Sequence, residues 1–264
     1  MDGALQVRIA RRDGDTRVVE SYARAPFHYL PPIQRNGSAP LLTIVNSSGG
    51  ILGGDVLDAR IELGAHVALM LRQQAATKVY RSASSPARSR CDFVLGEGAV
   101  LDYFPDEIIP FAGSKYAQTT RVELGRDALM LLGEIVTAGR LAQGEQFAFT
   151  RLTLDVQCAA GDTLLLRDRS DLEPARQRLC SSGVLGDATV WGAFYLLTTA
   201  AVEGSLIEGI DEILHAVVDG AGGASAAPSG IVGRVVGTSL EAVRHALQDA
   251  RTRVLDRLST GGVQ

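Results

Sequence analysis

Alternation is the feature of this sequence that most narrows the folds open to it. Leu5-Gln6-Val7-Arg8-Ile9 sets apolar against polar residues with a period of two, the pattern of a half-buried strand. Leu41 to Val45 and Val56 to Leu63 repeat it, the latter with Arg60 and Glu62 on one face and Ala59, Ile61 and Leu63 on the other. Phe147 to Val156 is the clearest long example of the pattern. The pattern dominates to about residue 200 and predicts a mainly β chain, a large stacked or sandwich-like β-structure.

A repeat runs through these strands. Leu63-Gly64-Ala65, Leu95-Gly96-Glu-Gly98-Ala99 and Leu124-Gly125-Arg-Asp-Ala128 each follow a strand and precede an apolar run. Ala159-Ala160-Gly161-Asp162 is a looser fourth copy, and the four glycines are spaced 32, 29 and 36 residues apart. Strand, glycine turn and buried strand at such a period suggest stacked hairpins or coils.

The last quarter changes character. Ser205-Leu-Ile-Glu208 is a capping box, followed by Leu206, Ile210, Ile213, Leu214 and Val217 at helical spacing. Gly220 to Gly230 reads as a flexible loop and Ile231 to Val236 as a short strand. A second capping box, Thr238-Ser-Leu-Glu241, opens a helix striped by Leu240, Val243, Leu247, Ala250, Val254 and Leu258 and closed by Gly261-Gly262. The expectation is therefore one domain over 1–264: mostly β to about 200, then helix-strand-helix over 205–260, with two α-helices near the C-terminus.

Composition excludes several classes. Hydrophobic residues make up 46% and charged residues 21% of 264, which is globular rather than disordered. A net charge of −4 supplies no global field toward nucleic acid or an anionic membrane. Cys91, Cys158 and Cys180 form no CxxC pair, and His28, His66, His215 and His245 are scattered, so no local zinc motif is present. The first fifteen residues lack an apolar signal core and no run is long enough to span a bilayer, so a cytoplasmic location is expected.

Four segments could carry chemistry. Gly49-Gly50-Ile51-Leu52-Gly53-Gly54-Asp55 has the glycines of a phosphate loop but neither the lysine nor the following helix such loops need. Asp55 there reads as a turn residue or an internal polar group. Lys78 and Tyr80 share a strand face, as a proton shuttle or as part of a hydrogen-bonded strand. Asp106, Glu134 and Glu145 sit in small or apolar surroundings, as acid-base pairs, as oxygen ligands for a cation, or as partners of Arg140 tying strands together. Trp191, in an apolar run from Val190 to Leu197, is either a partner anchor or core.

Taken in order, Gly49-Gly50-x-x-Gly53-Gly54-Asp55, Gln74-Ala75-Ala76-Thr77-Lys78-Val79-Tyr80-Arg81-Ser82, Pro105-Asp106-x-Ile108-x-Pro110-Phe111 and Gly139-Arg140-x-x-x-Gly144-Glu145 resemble the urease accessory protein UreD/UreH family over nearly the whole chain. The resemblance implies a non-enzymatic maturation scaffold, mostly β with two helices. It implies binding to apo-urease and to the helical partner UreF, which recruits the GTPase UreG, with nickel supplied by the carrier UreE. It implies no tightly bound cofactor, only transient nickel, for which an internal passage has been proposed in this family. On that basis Asp55, Asp106, Glu134, Glu145 and, more loosely, Glu173 are candidates to line the passage. Lys78 and Arg140 would balance their charge, and Trp191, Leu247 and Val254 would meet a partner. The competing expectation is an all-β lyase or hydrolase using Lys78, Tyr80 and paired carboxylates.

Overall fold

The computed structural model describes residues 1–35 and 38–260. The chain begins with β1 (Asp2–Arg12), β2 (Asp15–Arg24), β3 (Phe27–Arg35) and β4 (Ser38–Asn46). Then follow β5 (Val56–Leu63), β6 (Ala68–Gln74), β7 (Thr77–Val79), β8 (Ala87–Leu95), β9 (Val100–Tyr103) and β10 (Ile108–Pro110). Next come β11 (Lys115–Leu124), β12 (Leu129–Thr137), β13 (Arg151–Ala160), β14 (Thr163–Leu172) and β15 (Val190–Thr198). Helix α1 (Gly204–His215), strands β16 (Gly220–Ala227) and β17 (Gly230–Gly237), and helix α2 (Leu240–Thr260) complete it.

Two sheets face each other. The first has the order β14-β13-β11-β8-β5-β1-β2; the second, of ten strands, runs β16-β17-β15-β12-β9-β6-β4-β3, with β7 and β10 joined to its side. Strands β5, β8, β11 and β13 are parallel neighbours in the first sheet, and β4, β6, β9 and β12 in the second. The chain therefore coils: up one sheet, over a glycine turn, down the other, and back by a longer connection. One apolar core fills the space between the sheets, and a second lies between the ten-stranded sheet and the helices.

The glycine repeat records this coiling. Gly64, Gly96 and Gly125 each donate a backbone hydrogen bond to the preceding coil, at Ile9, Leu63 and Leu95. A Cβ on Gly125 would lie 2.8 Å from the Glu97 nitrogen and one on Gly96 2.9 Å from the Ala65 nitrogen, so these two turns stack only without a side chain. The fourth copy is different. Gly161 turns a hairpin between β13 and β14 within a single sheet, with φ +54 and no crowding neighbour.

Other boundaries moved for physical reasons. The strand that alternation predicts over 147–156 starts only at Arg151: Phe147 has φ +49 and stacks on Trp191 instead. Gly220 to Ala227 is not a loop but the edge strand β16, whose glycines admit α1 against the sheet; a Cβ on Gly222 would strike the Leu214 carbonyl. The last quarter is thus helix, two strands, helix. The first capping box also shifts, because Glu203 takes the N-cap position without a side-chain bond to the helix backbone and Ser205 falls inside the helix. For α2 the cap is Ser239, whose hydroxyl accepts from the Ala242 N–H at 3.2 Å. The predicted stripes point inward, with Ile210, Leu214, Val243, Leu247, Ala250 and Val254 buried. Gly261 and Gly262 lie outside the described residues.

Candidate functional site

All four motif segments are connections at one end of the coil, the end opposite the glycine turns. They lie side by side in chain order. Ile51 donates to the Lys78 carbonyl at 2.8 Å and Tyr80 donates back to Ile51 at 2.9 Å. Phe111 donates to Val79, Ser82 to Gly113, and Gly113 to Ala148. The glycines of the first motif serve this approach: a Cβ on Gly50 would sit 2.8 Å from the Lys78 carbonyl, and one on Gly53 2.8 Å from the Ser82 Cβ. They hold two backbones together rather than keeping space open.

Side chains lock the layers. The Tyr80 hydroxyl donates to the Gly49 carbonyl at 3.1 Å, and its ring meets Phe111 edge-on at 5.0 Å. Arg140 covers the other side of Phe111 at 4.2 Å and donates to Glu145 at 2.8 Å. Glu145 also accepts from the Ala112 N–H, and the guanidinium first, then this bond, hold its carboxyl below the ordinary range. Asp55 is buried and accepts from Leu52 and from the Met1 amino group. The hydroxyl that a Lys78–Tyr80 proton shuttle would use is thus donated to backbone.

Between the sheets the interior is not uniformly apolar. A cavity of about 50 Å³ lies beneath these connections, with Gln73, Ser89, Cys91, Tyr116, Gln118 and Glu134 among its walls. It reaches the exposed Asp106. That volume exceeds the roughly 10–15 Å³ one water requires. A second cavity of about 30 Å³ follows toward β14 and β17, walled in part by Asp168, Ser170, Tyr195 and Arg234.

Glu134 lines both cavities, and among the described residues no other is shared between their walls. It is 6% exposed, and one oxygen accepts from Gln118 Nε2 at 2.9 Å. Gln118 in turn accepts from the Tyr116 hydroxyl at 3.1 Å. Burial pushes the Glu134 carboxyl up to about 7, against the opposing pull of Arg234 and the Gln118 bond. In the second cavity Arg234 pairs with Asp168, which also accepts from Tyr195 at 2.9 Å. Burial raises the Cys91 thiol to about 12, so it is protonated at neutral pH.

Of the five candidate acids, Asp106 and Glu134 share the first cavity. Asp55 and Glu145 pin the stacked connections and line neither cavity. Glu173 lies elsewhere, beyond β14, within 3.4 Å of Arg176. Lys78 is exposed and Arg140 is engaged by Glu145. Trp191 points between the sheets, and Leu247 and Val254 are each 1% exposed, packing in the chain's own cores instead of on its surface. Gln118, Asp168 and Arg234 escaped the sequence reading. Asp168 is only partly buried, in a strand with no fully buried residue, and Arg234 is exposed, so local sequence offers no burial signal for either. Among the described residues no group of three or more His, Cys, Asp or Glu side chains is placed to hold a metal ion.

Comparisons with known proteins agree with the motifs. The family model for the UreD urease accessory protein matches residues 1–261. A urease accessory protein UreD of Haloarcula marismortui is 32% identical, with 99% of this chain and 90% of the relative covered. Those of Actinomyces naeslundii and Sorangium cellulosum are 32% and 33% identical over 96% and 94% of this chain, and 89% and 79% of their own lengths. The stacked motif connections thus sit in a chain that belongs to the UreD urease accessory protein family.

Proposed function

We propose that this chain is a non-catalytic urease maturation factor that holds apo-urease, UreF and, through UreF, the GTPase UreG together while nickel passes through its interior. The observation that carries this reading is the position of Glu134, the shared wall of two consecutive cavities. A conduit must release its cargo, so one carboxylate at a time, helped by neutral amide and hydroxyl oxygens, suits it better than a thiolate and imidazole cage. Asp106 stands where the first cavity reaches the surface, Glu134 at the joint, and Asp168 in the second cavity with Arg234 neutralising it. Nickel is cargo here, delivered indirectly from a carrier such as UreE, and no resident cofactor is needed. A cytoplasmic location accords with this role, and no described helix is long and apolar enough to cross a membrane.

The test is co-expression of urease and its accessory proteins with this gene deleted, restored, or restored as Glu134→Gln. Deletion should leave urease without nickel and restoration should refill it. Glu134→Gln should assemble the complex yet deliver less nickel. Full nickel loading without the gene would reject the maturation role; full loading by Glu134→Gln would reject the route.

A further inference from the structure

The end of the coil that carries the motifs gathers four cations that make no ion pair. Only two lysines occur in the sequence, Lys78 and Lys115, and both lie there. Lys78 is exposed on β7, and Arg81 is exposed three residues on, bridged opposite Ser114. Lys115 follows Ser114, and its ammonium donates to the Ser84 carbonyl at 3.1 Å. Arg88 is exposed at the start of β8, its backbone N–H bonded to Asp55.

Among the described residues none of these four cations is in an ion pair; Arg8, Arg60, Arg90 and Arg126 on other faces each hold a carboxylate, while Arg11, Arg12, Arg121, Arg178 and Arg253 on other parts of the chain also make none. This concentration of uncompensated positive charge stands on a molecule of net charge −4. Apolar side chains emerge at the same end, Leu52 at 56% exposed from the first motif and Leu141 at 39% from the last. Unpaired cations beside exposed aliphatic groups complement an acidic protein surface, and four cations on an acidic chain are few for a phosphate backbone.

We propose that this motif-bearing end is a docking face for an acidic protein surface, with Lys78, Arg81, Arg88 and Lys115 supplying the charge and Leu52 and Leu141 the apolar contact. The inference rests on the maturation reading only in the choice of apo-urease as the probe. Docking there sets the partner over the connections that roof the first cavity, beside exposed Asp106.

The test is binding of purified apo-urease to the immobilised full chain at low and high salt. Three double variants are compared: Lys78→Glu/Arg81→Glu, Arg88→Glu/Lys115→Glu, and the control Arg11→Glu/Arg12→Glu in the distant β1–β2 hairpin. All three change the net charge equally, and thermal unfolding checks that each is folded. The first two should bind about tenfold or more weakly and lose most of their salt dependence, while the control stays within about twofold. Equal binding by all three would overturn the docking face alone. Failure of the unsubstituted chain to bind would overturn the maturation reading and this inference together. Retention of duplex DNA that is lost in the same two variants would also overturn it, because the ligand would then be a nucleic acid.

Discussion

Glu134 and Arg234 lie in register on either side of Ala193, across three adjacent strands of the ten-stranded sheet, and form no ion pair. Arg234 turns to Asp168 instead, and the methyl group of Ala193 leaves the gap that becomes the second cavity. A buried carboxylate beside a cavity, with one amide bond as its anchor, has a measurable thermodynamic signature.

The Glu134 carboxyl sits at about 7 in the folded chain and near its ordinary 4.5 when unfolded. Between those values the folded state binds the additional proton, so its contribution to stability is full below about 4.5 and is lost as pH rises to 7. Relative to Glu134→Gln, the unsubstituted chain should lose roughly 3 kcal/mol of stability between pH 5 and pH 8. Urea denaturation of both proteins at the two pH values measures it. A constant difference would mean the carboxyl titrates normally.

The stacking of the motif connections predicts a contrast between adjacent glycines. A Cβ at Gly50 would press on the Tyr80 ring and the Lys78 carbonyl, whereas one at Gly49 meets only the Tyr80 hydroxyl at 3.8 Å. Gly50→Ala should destabilise by about 1–3 kcal/mol and Gly49→Ala by less than about 0.5 kcal/mol. Thermal unfolding of the pair reads the difference; equal midpoints would contradict the close approach.

Helix α2 is fastened to β9 by a buried ion pair. Asp102 is 4% exposed and accepts from Arg251 Nε at 2.7 Å, with Arg72 a further 3.8 Å neighbour. Asp102→Ala would strand the largely buried Arg251 guanidinium and should lower stability by roughly 3–5 kcal/mol. Chemical denaturation checks it, and a loss below about 1 kcal/mol would show that the pair is solvated.

Thiol chemistry offers a test that needs no partner. Cys180 is exposed, while burial raises Cys91 and Cys158 each to about 12. A chromogenic disulfide reagent at neutral pH should titrate one thiol rapidly in the native protein and three after unfolding. Rapid reaction of Cys91 would show that the first cavity is open to the reagent.

The sequence made the coil legible because its constraint is local. Alternation marks each strand, and Gly64, Gly96 and Gly125 mark each turn where backbones stack. It hid β16 because the glycines that admit α1 are the residues that locally read as a loop. The site divided along the same line. Asp106 and Glu134 were visible as acids in apolar surroundings, but so were Asp55 and Glu145, and only tertiary packing shows that the latter pair hold backbone connections. Asp168 and Arg234 come from strands far apart in sequence and meet only when β14 and β17 close over the same edge.

Passage of nickel through the interior is tested most directly by closing the second cavity. Ala193→Leu would fill the space between Glu134 and Arg234 while leaving both charges and the whole motif-bearing surface in place. The measurement is nickel bound per urease active site after activation with the variant, alongside the amount of assembled complex. Assembly at the unsubstituted level with nickel loading reduced about fivefold or more is the expected outcome. Undiminished loading through the filled cavity would contradict the route.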